Sequence, residues 1–120
     1  MLYSVVSNEP VKRIPHRKQF ELWRSRLSED EFAAIEAELN SMIDGDEVHT
    51  SSWMPGSDWT DTPFHPIYEK ACLRDESEAA KFFGLALWKV MMDRPEAWAF
   101  GRYAKDGVPI EGMTYFRVAI

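Results

Sequence analysis

The run ESEAAKFFGLALWKVMMD, residues 76 to 93, constrains this chain more than any other stretch. At helical spacing Ala79, Phe82, Phe83, Ala86, Leu87 and Val90 form one apolar stripe, and Leu85, Trp88 and Met92 form a second. Only a thin polar edge is left at Lys81 and Lys89. A helix that is apolar almost all round has to be buried almost all round, so the other elements must wrap it. Asp75 with Glu78 supplies the start signal. Gly84, in the middle, costs about 1 kcal/mol of helix propensity relative to alanine and predicts another backbone passing close by.

The elements available to wrap that helix can be read in order. Residues 2 to 6 are β-branched and end at SNEP, which reads as a short strand. After Pro15 the spacing of Phe20, Trp23 and Leu27 predicts a short, basic amphipathic helix. Ser28 and Glu31 form a capping box, and behind it Phe32, Ile35, Leu39 and Met42 line one face of a second helix that ends at DG. Glu29, Asp30 and Glu31 lie where the helix dipole favours negative charge, which accounts for them without a metal. DEVHTSS reads as a strand, and Pro66 starts a short helix through IYEKACL. The C-terminal 24 residues give a hairpin around Lys105, Asp106 and Gly107, with Gly101 and Gly112 marking a bulge or a close approach. The sum is a single α+β domain over residues 1 to 120, order β-α-α-β-α-α-β-β, with a small, mostly antiparallel sheet packed by about four helices.

At 120 residues, 45% of them apolar and 13% aromatic, one buried core is expected and a disordered chain is excluded. The lone Cys72 rules out an internal disulfide framework, and residues 1 to 13 lack the charge and apolar run of a signal peptide. The expectation is a cytoplasmic protein without membrane segments. Charge is unevenly placed: residues 1 to 27 hold six basic side chains (Lys12, Arg13, Arg17, Lys18, Arg24, Arg26) against two acids, and residues 28 to 120 hold eight basic and eighteen acidic. The acidic body argues against broad nucleic-acid wrapping, since that requires clustered positive charge. The simpler expectation is that the basic segment folds onto the acidic body of its own or a neighbouring subunit.

The irregular stretch HTSSWMPGSDWTDTPFHP, residues 49 to 66, is where chemistry would sit. His49, Asp58, Asp61 and His65 are ligand or acid–base types within seventeen residues, but their spacing matches no metal pattern. Asp58 closing a turn and Thr62 or His65 capping a helix account for them more simply. No nucleophile elbow, phosphate loop or cofactor motif is present, and Cys72 between alanine and leucine reads as a buried, inert thiol. The aromatics are the better lead. Trp53, Trp59 and Phe64 in a proline-stiffened loop, beside Arg102, Tyr103, Tyr115 and Arg117 on the hairpin, are the residue types that anchor protein interfaces.

Three functions follow as expectations. The first is a binding protein that self-associates as a homodimer through this loop and hairpin. The second is a metal-assisted hydrolase using His49, Asp58 and His65, with Arg102 holding an anionic substrate. The third is an acidic partner of a nucleic-acid-binding protein, resting on the net −10 of residues 28 to 120.

Overall fold

The computed structural model describes residues 1–4, 9–44, 48–50, 62–101, 104–105, 108–109 and 114–118. It is an α+β fold. Strand β1 (Leu2–Ser4) is followed by helices α1 (Arg17–Ser25) and α2 (Glu29–Ile43), strand β2 (Val48–Thr50), a π-helical turn (Ile67–Ala71), helix α3 (Glu76–Asp93) and strands β3 (Trp98–Gly101), β4 (Ala104–Lys105), β5 (Val108–Pro109) and β6 (Thr114–Arg117). The main sheet has four strands in the order β1-β3-β6-β2. Its one parallel pair is β1 with β3; β3 with β6 and β6 with β2 are antiparallel.

Helix α3 is wrapped as its sequence demands. Phe82 meets Phe20 and Trp23 of α1 at 5.5 and 5.7 Å between ring centroids. Phe83 meets Phe64 edge-on at 5.4 Å, and Trp88 meets Phe100 of β3 at 4.5 Å. Phe20 also packs edge-on against Phe32 of α2 at 6.1 Å, so one aromatic chain ties three helices together. The Trp88 indole N–H donates to the Arg13 carbonyl oxygen at 3.1 Å, which satisfies its polar edge while the ring stays buried.

Local signals explain the ends of the elements. Ser28 and Glu31 form both bonds of the capping box, at 3.0 and 2.9 Å. Asp75 accepts from the Glu78 amide at 3.0 Å and starts α3. The buried face of α2 is Phe32, Ile35, Leu39 and Ile43, so Ile43 takes the place expected for Met42, which packs only half-buried at the margin. Pro66 does start a helical turn, but of π type, closed by the Cys72 amide on the Ile67 carbonyl at 3.0 Å. The wide turn runs into two consecutive left-handed residues, Leu73 (φ 51°) and Arg74 (φ 66°), neither of which is glycine or asparagine.

Two expectations need correction or refinement. No described atom comes within 4 Å of a β-carbon built on Gly84, so no backbone among the described residues explains that glycine. The C-terminal hairpin exists as two ladders: β3 with β6, and β4 with β5 at the tip. Two residues, 102 and 103, separate the ladders on the outgoing side and four, 110 to 113, on the return. The bulge or close approach expected at Gly112 lies outside the described residues.

Candidate functional site

The sheet register decides the fate of several candidates. Trp98, Phe100, Tyr115 and Arg117 share one face, because Phe100 is paired with Tyr115 and Trp98 with Arg117. That face meets α3 through Phe100, so Tyr115 is core, 1% exposed. Phe64, expected on a contact surface, is also 1% exposed and locked against Phe83. Both residues give their area to the interior, and neither is a surface anchor. Arg117 at the end of the same face is exposed, its guanidinium 5.8 Å from the centroid of Trp98. Trp53, Trp59, Asp58, Asp61, Arg102 and Tyr103 lie outside the described residues.

The residues of the hydrolase reading are not brought together by anything described. His49 occupies the register position opposite Tyr115 in β2. His65 stands one helical turn before Glu69, with 3.6 Å between Nε2 and the carboxylate, and that carboxylate also accepts from Arg74 at 3.0 Å. Thr62, not His65, makes the local cap: its hydroxyl accepts from the Phe64 amide at 3.2 Å. Among the described residues no three His, Cys, Asp or Glu side chains form a group that could hold a metal ion. Cys72 is fully buried, and burial pushes its thiol up to about 12, far from the thiolate that nucleophilic chemistry requires.

The densest charge network among the described residues includes none of the candidate site residues read from the sequence. Where α2 and α3 end, a cleft of about 300 Å³ is lined by Glu36, Asn40, Asp44, Arg94 and Glu96, among others. Arg94, with only 12% of its side chain exposed, donates to Glu96 at 2.8 Å, to Asp44 at 2.5 Å and to the Asn40 side-chain oxygen at 2.7 Å. Glu96 accepts a further bond from the Trp98 indole at 3.1 Å. Lys89 bridges Glu36 at 3.0 Å and Asp93 at 2.8 Å. The Met1 ammonium is held by the Met91, Arg94 and Glu96 carbonyl oxygens. The hydrogen bond from Arg94, then that from Trp98, holds the Glu96 carboxyl below the usual carboxylate range. Burial works to lower the Lys89 and Arg94 values, but their carboxylate partners outweigh it and both are raised. Every cation here is matched, so the cleft is a polar clamp joining α2, α3, β1 and β3. Its only sequence signal is Arg94-Pro95-Glu96; the partners Asn40 and Asp44 are more than fifty residues away in the case of Arg94 and Asn40, at 54, and 50 for Asp44.

The opposite situation holds around α1. Lys12, Arg13, His16, Arg17 and Lys18 are all exposed. Arg17 pairs only within its own helix, with Glu21 at 2.9 Å, and Lys12, Arg13 and Lys18 have no acidic partner among the described residues. Further along, Arg24 reaches Glu29 at 3.2 Å and covers the Phe32 ring at 4.2 Å, while Arg26 donates to the Ala71 carbonyl oxygen at 2.7 Å. The basic segment therefore folds onto the body through Arg24 and Arg26 and leaves its first cations facing water.

Among the described residues, no helix is long and apolar enough to cross a membrane. Compared with known proteins, the chain matches no family model, no curated protein and no solved structure.

Proposed function

We propose that this protein acts by binding, with a second copy of the chain as the first partner to test. One observation carries the reading: positive charge at Lys12, Arg13 and Lys18 stands exposed and without described partners on a chain whose net charge is −6. Unmatched cations on an acidic chain are complementary to the rest of its own surface, and such complementarity favours association and fixes its orientation. The clamp around Arg94 supports the same reading from the other side. Its titratable groups are engaged with one another, which is a structural use of charge. Of the contact residues expected from the sequence, Trp53, Trp59, Arg102, Tyr103 and the exposed Arg117 remain candidates for a second patch.

Sedimentation velocity across a concentration series tests the reading directly. A sedimentation coefficient that rises with concentration towards a dimer is the expected result. A monomer at every concentration up to the solubility limit is incompatible with it.

A further inference from the structure

Among the described residues the exposed large apolar side chains are three: Met1, Leu22 and Leu73. Met1 lies against the Arg94 clamp. The other two lie on the α1 side. Leu22 is 52% exposed on α1, between Lys18 one turn before it and Arg26 one turn after it. Arg26 bonds the Ala71 carbonyl, which brings the end of α1 beside the turn that carries Leu73, 67% exposed. Single exposed leucines are ordinary. What is not ordinary is the backbone beneath Leu73.

Leucine at φ 51° followed by arginine at φ 66° places two side chains with full β-carbons in the left-handed region, where glycine or asparagine fits without strain. Strained non-glycine residues persist only where the surrounding structure holds them, and they cluster at functional sites. Here the strained turn holds a leucine out into water beside cations. The ridge Lys18, Leu22, Arg26, Leu73 therefore combines apolar contact with positive charge. Its complement is an acidic face whose own side chains are short enough for a leucine to lie flat against it.

That complement is present on this chain. Asp30, Ala33, Ala34, Ala37 and Ser41 of α2 are exposed and fall on one side of the helix, and Asp30 is its acid, since Glu29 at the helix start is already paired with Arg24. We infer that the Leu22–Leu73 ridge of one copy docks on the acidic, alanine-faced side of α2 in a second copy. Under a two-fold axis each copy gives its ridge and receives the other's, which closes the assembly as a dimer. This rests on the binding reading above and assigns its surface.

The test is sedimentation equilibrium on wild type and on the double variant Leu22→Gln with Leu73→Asn. Both positions are exposed, and asparagine adopts the left-handed conformation readily, so the variant is expected to fold, which circular dichroism checks. The double variant is expected to weaken dimerisation about tenfold or more, as loss of central apolar anchors does. Salt is a poor discriminator, because it screens both the ridge attraction and the repulsion of two −6 copies. Charge exchange is cleaner: Lys18→Glu and Asp30→Lys should each weaken the homodimer, and an equimolar mixture should regain affinity. A wild-type dimer whose dissociation constant is unmoved by the double variant overturns this surface and leaves self-association standing. A wild-type chain that never dimerises removes both.

Discussion

Two regions of the molecule, the end of α3 and the start of α1, use the same residue types in opposite ways. At the end of α3, Arg94 is 12% exposed and has three side-chain partners, while Lys89, at 30%, has two. At the start of α1, Lys12, Arg13 and Lys18 are exposed and have no described acidic partner. The difference is hydration. Taking a cation partly out of water is tolerable only when hydrogen-bonded counter-charges replace the water, whereas a fully hydrated lysine needs no partner and gains little from one. Charges in the first region belong to the fold, and charges in the second remain available to something outside it.

The largest test of that contrast is Arg94→Met. It leaves Glu96 and Asp44 without their common cation and removes a bond from Asn40. Breaking one member of a partly buried network exposes the others to an unmatched environment, and the expected loss is about 2–3 kcal/mol in urea unfolding. A loss under about 0.5 kcal/mol, the size of an ordinary surface substitution, would erase the distinction between the two regions.

Two substitutions are expected to raise stability, by about 1 kcal/mol or somewhat less. Leu73→Asn replaces a left-handed leucine with a residue that tolerates that geometry, and a left-handed non-glycine residue costs about 1–3 kcal/mol. If Leu73 is held in place for docking, the same variant melts higher and associates more weakly. A variant that melts lower would mean that Leu73 serves the fold. Gly84→Ala is the internal control, since the added methyl meets no described atom within 4 Å and the helix gains propensity. A drop in its melting temperature would show that the space around Gly84 is needed.

How much of this was legible in the sequence depends on the range of the interaction. The capping box at Ser28, the Asp75 start of α3 and the wrapping of α3 are set by residues within one or two turns, and they could be read directly. The fate of Tyr115 could not. Both alternating sets in the hairpin carry aromatics, Trp98, Phe100 and Tyr115 on one face and Phe116 on the other, so alternation alone does not say which face meets α3. The left-handed pair at Leu73 and Arg74 gave no signal because neither residue type favours that backbone. The Arg94 clamp joins residues 50 and 54 positions apart, a distance at which local pattern carries nothing. Leu22 was readable in principle: it is one residue off the Phe20–Trp23–Leu27 stripe and so turned well away from it.

A smaller effect separates the regions by pH. Glu96 titrates below its ordinary 4.5 in the folded chain because Arg94 and Trp98 bond the ionised form. Its contribution is therefore complete above the unfolded value and is lost as pH falls through the lower, folded one. In Glu96→Gln the slope of stability against pH should flatten in that acid window and be unchanged near neutrality. An identical slope in both proteins would place the acid sensitivity elsewhere.

The smallest stability effect is expected at Lys18, where the contrast is sharpest. The side chain is exposed, has no described acidic partner and stands in the first turn of α1, where a positive charge meets the unfavourable end of the helix dipole. On stability alone Lys18→Glu should be neutral or slightly favourable, within about 0.5 kcal/mol. A purely structural account of this residue ends there and predicts no other consequence. The docking account requires that the same change, harmless to the monomer, weakens association and is compensated by Asp30→Lys in the partner. Unfolding and sedimentation measured on that one variant separate the two accounts, because only the second couples an unaltered fold to an altered mass.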